Sequence, residues 1–176
     1  MSSLRPVSLL RAGSLATALS LLACSADNGS SPLAPTASRQ SARIALPFTG
    51  TRGTVQTSFT PLGPTTVLLR AEGTGTSTHL GRYTEVSDLT LDLATLTGVE
   101  HVSLTAANRD MLFVTAEVQA TPNADGVTVT VVESATITGG TGRFAGATGS
   151  YTIRCVANQA TGISTGSFAG TIVVDR

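Results

Sequence analysis

The stretch Ile137–Thr152, ITGGTGRFAGATGSYT, carries the strongest structural signal in the chain. Five glycines lie within the eleven positions 139–149, where they surround Arg143 and Phe144. A glycine-rich loop of this kind either cradles a phosphate group or lets the backbone turn sharply between two strands. The spacing of the glycines and the sequence that follows them decide between these two interpretations.

Both features argue against a nucleotide-binding loop. The dinucleotide fingerprint is Gly-x-Gly-x-x-Gly at the start of a helix, whereas Gly140 and Gly142 are followed by Gly146, one residue too late. Residues 150–156 then alternate with the period of a strand, and the absence of lysine excludes a P-loop. We therefore interpret the stretch as a corner between two strands. The residues expected to build it are Gly140, Gly142, Gly146 and Gly149, with Phe144 as the buried side chain.

The composition is that of an all-β protein. Of the 176 residues, 29 are threonine and 18 are glycine, and such a composition favours strands and turns over helices. Charged residues make up 12%, the formal net charge is zero, and all eleven basic residues are arginines without a cluster. Nucleic-acid binding is therefore not expected, because it needs a basic patch to hold phosphates.

Turn signals divide the chain after residue 42 into eight strands, and no segment keeps a helical period for three turns. Eight antiparallel strands close naturally into an up-and-down β-barrel, while a sandwich of seven or eight strands is the alternative. Glycines on the predicted inward faces favour the barrel, because strong coiling favours residues without a Cβ. The predicted strands are 43–60, 65–79, 82–94, 99–108, 111–121, 127–138, 150–159 and 163–174, and the paired inward glycines are Gly73, Gly75, Gly166 and Gly170.

Alternation within the strands predicts which side chains face the interior. In the first strand, Ile44, Leu46 and Phe48 are in phase, and we expect a second in-phase set to follow a bend. That second set is Val55, Thr57 and Phe59. The sixth strand alternates most regularly, and its apolar face is Val127, Val129, Val131, Glu133, Ala135 and Ile137.

Residues 1–23 have the pattern of a secretory signal peptide. Arg5 and Arg11 supply the positive charge, and the apolar stretch 12–23 is shorter than the roughly 20 residues of a membrane-spanning helix. The segment ends in Leu21-Leu22-Ala23-Cys24, which resembles the lipobox of bacterial lipoproteins, where the cysteine carries the lipid. An ordinary secretory signal with a cysteine near its cleavage site is the alternative.

Residues 24–42 are rich in serine, alanine and proline without periodicity, which is typical of a disordered tether. We expect the domain 43–176 to be held at the membrane of a bacterial cell envelope by the lipid on Cys24. Ser25, in place of aspartate after the cysteine, favours the outer membrane. Cys155 would then be the only thiol of the mature domain, which excludes an intramolecular disulfide and indicates a small buried residue.

The glycine-rich corner also carries a family resemblance. Residues 139–149, GGTGRFAGATG, resemble the G-G-T-G-x-F-x-x-A-x-G segment of dirigent proteins and allene oxide cyclase-like barrels. Residues 73–82 and 104–112 resemble bacterial secreted members of that superfamily, and the resemblance spans about residues 65–174. It implies an eight-stranded barrel. Arg109 stands where a glycine is usual, which matters if that turn needs a positive φ.

Three carboxylates fall in phase with apolar faces: Glu85, Glu100 and Glu133. An inward carboxylate in a narrow barrel has a raised pKa and serves as an acid, a base or a hydrogen-bonding anchor. Glu133 is the candidate catalytic residue, unless a bulge at Val131–Val132 turns it outward. Glu85 and Glu100 lie near predicted strand ends, so we expect a solvated rim there. The ligand-binding candidates are Glu85, Glu133, Tyr83 and Tyr151, and His79 shares the corresponding phase.

No metal or cofactor is expected. Two histidines, His79 and His101, are too few for a zinc site without further strong ligands. Arg143 is expected to be a surface residue at the corner that contacts nearby carbonyl groups.

The sequence favours a lipid-anchored envelope barrel that binds a small apolar molecule or a partner, or serves structurally, and is not an enzyme. The resemblance implies an alternative, in which a cyclase- or dirigent-like enzyme holds a reactive hydrophobic intermediate and steers its closure or coupling. A sandwich module resembling an adhesin is a third interpretation. A ligand-sized apolar cavity with a buried carboxylate would favour the catalytic interpretation, whereas a filled interior with no cavity at Glu133 would exclude it.

Overall fold

The computed structural model describes residues 42–175, which form a closed barrel of eight antiparallel strands in chain order. The all-β barrel prediction is confirmed, and the sandwich alternative is wrong. The signal peptide, Cys24 and the tether up to residue 41 lie outside the described residues. The strands are β1 (Arg43–Pro61), β2 (Thr66–Ser77), β3 (Gly81–Asp92), β4 (Thr97–Ala106), β5 (Met111–Pro122), β6 (Thr128–Gly140), β7 (Thr148–Asn158) and β8 (Ile163–Asp175).

The barrel closes through β1, which is 19 residues long and pairs with β2 and with β8. The ladder with β8 runs from the pair Arg43–Asp175 to the pair Val55–Ile163. Closure pairs the backbone groups that an open sheet would leave on its edge strands. Within residues 42–175, no helix is long and apolar enough to cross a bilayer.

The second half of β1 does not follow the predicted phase. Alternation continues without a break from Ile44, so that Arg52 and Thr54 are buried and Val55 is exposed. The irregularity in the pairing with β2 comes only between Gln56 and Ser58. Such a bulge shifts the following residues to the other face of the strand, which is why Phe59 lines the interior cavity.

The two ends of the barrel differ. We call the end that carries the turns 78–80, 107–110 and 141–147 the closed end, because most of the core side chains pack there. The turns 62–65, 93–96, 123–127 and 159–162 surround the other, open end. The largest fully buried apolar side chains are Phe48, Phe144, Leu112, Ile137 and Ile172.

The glycine-rich corner plugs the closed end. A short 3-10 helix, Gly142–Phe144, joins β6 to β7, and the Phe144 side chain is only 2% exposed. Gly142 has a φ of 56°, and a Cβ at this position would collide with the carboxylate of Asp110. Arg143 stays exposed at the corner, with its guanidinium carbon 4.9 Å from the centre of the Phe144 ring.

The turn between β4 and β5 does require a positive φ. Arg109 adopts a φ of 70° there, and its N–H donates to the carbonyl oxygen of Ala106. A side chain other than glycine in this conformation costs about 1–2 kcal/mol. Asn108 offsets part of that cost, because its amide donates to the Asp110 carboxylate at 2.7 Å and its side-chain oxygen accepts from the Asp110 N–H.

Replacing the plug should destabilise the whole barrel. We expect Phe144→Ala to lower the free energy of unfolding by about 3–5 kcal/mol, because it leaves a cavity in the core. Phe113→Ala is the matched control, because Phe113 is 36% exposed on the outward face of β5, and it should cost less than about 1 kcal/mol. Urea denaturation measures both values. Equal losses in the two variants would contradict the role of Phe144 as a plug.

Candidate functional site

One arginine and three glutamates meet inside the barrel, roughly between its packed half and its open half. Arg52 Nη1 donates to both carboxylate oxygens of Glu133, at 2.8 and 2.9 Å. Arg52 Nη2 lies 2.6 Å from Glu85 Oε1 and 3.5 Å from Glu100 Oε1. All four residues are buried, with 3–7% of their surface exposed. We call these residues the charged cluster.

Barrel closure brings the cluster together from four strands. Arg52 comes from β1, Glu85 from β3, Glu100 from β4 and Glu133 from β6, and Arg52 and Glu133 are 81 positions apart in the chain. The pairing partners of Arg52 on β2 and β8 are both glycines, Gly75 and Gly166. Neither neighbour therefore projects a side chain of its own beside Arg52.

The expected positions of the three glutamates are partly wrong. Glu85 and Glu100 do not lie at a solvated rim, because Arg52 draws both carboxylates into the interior, where they are 3% and 5% exposed. Glu133 faces inward as predicted. The pairing of β6 with β7 runs without a bulge from Thr128 to Ile137, so nothing turns Glu133 outward.

A cavity of about 380 Å³ fills the open half of the barrel and ends at the charged cluster. Its floor includes Arg52, Glu100 and Glu133 together with two hydroxyl side chains, Thr54 and Ser87. Its walls are mainly apolar. The main apolar side chains are Phe59, Leu69, Leu89, Leu91, Val129 and Val131, with Leu93, Leu96 and Pro122 toward the mouth.

Glu85 faces the packed half of the barrel, where it borders a small void of about 10 Å³ together with Tyr83 and Tyr151. The Tyr83 hydroxyl donates to the Thr51 carbonyl at 3.0 Å. Tyr151 packs in a triangle with Phe48 and Phe168, in which each pair of ring centres is 5.1 Å apart. Of the four ligand-binding candidates, only Glu133 therefore lines the cavity in the open half of the barrel.

Neither histidine lies in the barrel interior, because His79 and His101 are both exposed. His79 lies exposed in the turn between β2 and β3, where its Nε2 is 3.0 Å from the Pro47 carbonyl. The prediction that His79 shares the inward phase is wrong, because the strand has already ended at Ser77. Over residues 42–175, no group of three or more His, Cys, Asp and Glu side chains is arranged to hold a metal ion.

Burial is the main influence on the proton affinity of the cluster. It raises the pKa of Glu85 to about 7, although the charge of Arg52 acts in the opposite direction. It also raises the pKa of Glu133 well above the ordinary range, and the neighbouring Glu100 carboxylate adds to this rise. Burial disfavours the charged form of Arg52, but the three carboxylates outweigh this and raise its pKa. The arginine therefore stays charged, while Glu85 and Glu133 hold their protons to higher pH than an exposed glutamate does.

Cys155 is buried beside the cluster as a free thiol. Burial raises the pKa of its thiol to about 11. Because the thiolate is the nucleophilic form, Cys155 is an inert packing residue at neutral pH, as the sequence predicted.

The sequence interpretation missed Arg52, although two signals point to it. The alternation that starts at Ile44 and Phe48 places residue 52 on the same face, if it is simply continued. Three inward carboxylates also require a buried countercharge, because unpaired charges are very costly in a protein interior. Arg52 is the inward arginine that satisfies both conditions.

Comparisons with known proteins support the fold. No protein-family model matches the chain, and no curated protein matches its sequence. Four solved chains do match in structure, and one of them is a pterocarpan synthase dirigent protein. That protein is 13% identical, the match covers 76% of this chain and 85% of the other, and the TM-score is 0.54. The chain thus has a dirigent-like barrel fold, as its glycine-rich corner predicted.

The raised pKa of Glu85 predicts how stability depends on pH. The folded barrel holds the Glu85 proton up to about pH 7, whereas the ordinary pKa is 4.5. The folded state therefore binds more protons than the unfolded state in that window, and the free energy of unfolding falls as the pH rises through it. The expected loss is on the order of 3 kcal/mol, and Glu133 acts in the same direction.

Urea denaturation at about pH 5 and pH 8 measures this loss. Glu85→Gln should reduce it, because the neutral amide does not titrate. Glu117→Gln, on the exposed face of β5, should leave it unchanged. Stability that rises over the same interval would show that the buried glutamates do not hold their protons.

Proposed function

We propose that the barrel binds a small, largely apolar molecule end-on, and that a lipid on Cys24 anchors it in a bacterial cell envelope. The observation that carries the binding proposal is the cavity of about 380 Å³ in the open half of the barrel, with apolar walls and a charged floor. This volume is in the range of small-molecule sites, which are typically about 300–1,000 Å³.

The distribution of polarity supports an end-on orientation. The apolar side chains line the walls and mouth, while Arg52, Glu100 and Glu133 lie together at one end of the cavity. An apolar body would replace water along the leucine-rich walls, which is favourable in proportion to the area covered. A polar group at the inner end of the ligand would meet the charged cluster.

The anchoring part of the proposal rests on the sequence. Leu21-Leu22-Ala23-Cys24 follows an apolar stretch of signal-peptide length, and residues 24–42 have the composition of a tether. A single acyl chain holds a protein only weakly at a membrane, so stable attachment needs more than one chain, as the diacylated cysteine of a lipobox provides. Ser25 after the cysteine favours the outer membrane.

A second candidate function is catalysis of a cyclisation or isomerisation within the same cavity. The specific observation in its favour is the pair of cavity-lining carboxyls, Glu100 and Glu133, because burial and Glu100 both raise the pKa of Glu133. A protonated carboxyl next to a second carboxyl supplies an acid and a base at one place. One structural neighbour is named as a pterocarpan synthase dirigent protein. Catalysis would require that Glu133→Gln abolishes turnover while ligand binding remains.

Filling the cavity should abolish ligand binding. Ala71→Leu adds three carbons to an inward position of the cavity wall, whereas Ala169→Leu makes the same change on the exposed face of β8. The neutral fluorescent probe N-phenyl-naphthylamine should bind the wild type and the Ala169→Leu variant alike. Its affinity for Ala71→Leu should fall at least about tenfold, or about 1.4 kcal/mol. Equal fluorescence titrations of the two variants would contradict binding in this cavity.

Metabolic labelling tests the lipid anchor. Cells that express the full chain and are grown with labelled palmitate should mark the protein, and Cys24→Ala should remove the label. Cys155→Ala is the matched control and should keep it, because the chain has just these two cysteines. A label that survives Cys24→Ala would refute the lipid attachment.

A further inference from the structure

We infer that the ligand carries a protonated primary amine, which sits at the floor of the cavity against Glu100 and Glu133. This inference rests on the proposed end-on binding, and it assigns the chemical class of the polar group: a small amphiphilic amine, with its apolar body along the leucine-rich walls.

The charges around the floor favour a cation. The titratable groups that face the cluster are Arg52 from β1, Tyr83 and Glu85 from β3, Glu100 from β4, Glu133 from β6, and Tyr151 and Cys155 from β7. No inward-facing position of β2, β5 or β8 holds a charged residue. One arginine therefore faces three carboxyl groups, which would carry two negative charges more than the arginine balances if all three were ionised.

The contacts of Arg52 leave three buried polar atoms of the cluster without a hydrogen-bond partner: Arg52 Nε, Glu85 Oε1 and Glu100 Oε2. Nη1 binds both oxygens of Glu133, and Nη2 is closest to Glu85. Glu100 approaches Nη2 only to 3.5 Å, and its Oε2 is buried without a hydrogen-bond partner. Glu100 lines the cavity and is 5% exposed. A buried acceptor of this kind is costly unless a donor reaches it, and the N–H groups of an ammonium are such donors.

Other polar head groups on the ligand complement the residues at the cavity floor less well than an ammonium does. A carboxylate on the ligand would meet strong repulsion from every cluster carboxyl that is ionised, because like charges repel strongly in a medium of low dielectric constant. An alcohol supplies one donor and no charge. An ammonium supplies three donors, and by displacing a proton that the buried carboxyls hold in the empty barrel it leaves the total charge of the site unchanged.

Because the amine displaces a proton from the cluster, its binding should release a proton and depend on pH. Binding of R–NH3+ to the protonated cluster releases H+ to solvent and leaves the ammonium against a carboxylate, so charge is conserved. The affinity for an amine should therefore rise with pH, by up to about tenfold per unit for each proton released, as long as the cluster still holds that proton. An anionic ligand should show the opposite slope, and a neutral ligand should show little slope.

Isothermal titration calorimetry at fixed ionic strength tests the preference for an amine and its pH dependence. The barrel domain is titrated with octylamine, octan-1-ol or octanoate. The three probes share one apolar chain and differ in the charge of the head group. Octylamine should bind at least about tenfold more tightly than the alcohol at pH 7.5, and octanoate should bind most weakly. Heats measured in phosphate and in Tris should differ for the amine by the amount expected for release of up to one proton.

Two glutamine variants test whether the preference for the amine depends on the cavity carboxyl Glu100. Glu100→Gln should remove most of the preference for the amine and keep the affinity for the alcohol, while Glu117→Gln, an exposed glutamate on the adjacent strand β5, should behave as wild type. Circular dichroism melting checks that each variant is folded. The wild-type series decides the question even if Glu100→Gln fails to fold.

The outcomes separate the two proposals. If the alcohol or octanoate binds wild type as tightly as octylamine, or if amine binding releases no proton, the cationic ligand class is wrong and the proposed binding function stands. If none of the three probes binds and the fluorescent probe also fails to bind, the proposed function itself is wrong. Tight amine binding that Glu117→Gln weakens as much as Glu100→Gln would place the amine outside the cavity and overturn the inference.

Discussion

The contact of the Arg52 guanidinium with three buried carboxyl groups divides the interior of this barrel. On one side of it, aromatic and aliphatic side chains pack down to the plug at Phe144. On the other side, a cavity of about 380 Å³ runs to the open end. Each carboxyl is held by a strand of its own, so the cluster exists only when β1, β3, β4 and β6 are all in register within a closed barrel.

Burying the charged cluster inside the barrel costs desolvation free energy. Replacing a buried ion-pair network with apolar residues of similar volume is often neutral or stabilising, because desolvation of the charges consumes most of their attraction. The packed half of the barrel shows the apolar solution with Phe48, Tyr151 and Phe168, whose rings contact one another. A barrel selected only for stability would continue this apolar packing toward its open end. Stability alone therefore does not explain the charged layer at the base of the cavity.

Local sequence patterns predicted the barrel but not the cluster. Period-two alternation placed Glu133 inward, and the spacing of Gly140, Gly142 and Gly146 identified the corner that buries Phe144. Both are properties of neighbouring residues. The contact between Arg52 and Glu133 joins positions 81 apart, and depends on the register of strands that alternation alone does not fix. The same limitation produced the wrong expectation for Glu85 and Glu100, since strand ends read from turn signals do not reveal a countercharge on another strand.

Once the strand register is known, the cavity can be traced to particular residues of the sequence. Small residues occupy inward positions around the open half: Ala71, Ser87, Ala120, Ala157 and Ser164 all line the cavity. The corresponding positions of the packed half hold large side chains such as Leu112, Ile137 and Phe168. These small residues leave a void that has apolar walls and ends at a carboxylate oxygen without a hydrogen-bond donor. Water is poorly matched to the apolar walls, and the oxygen at the base remains unsatisfied. An apolar molecule with hydrogen-bond donors at one end would correct both defects together, which is why the binding proposal follows from the same cluster that limits the packing of the barrel.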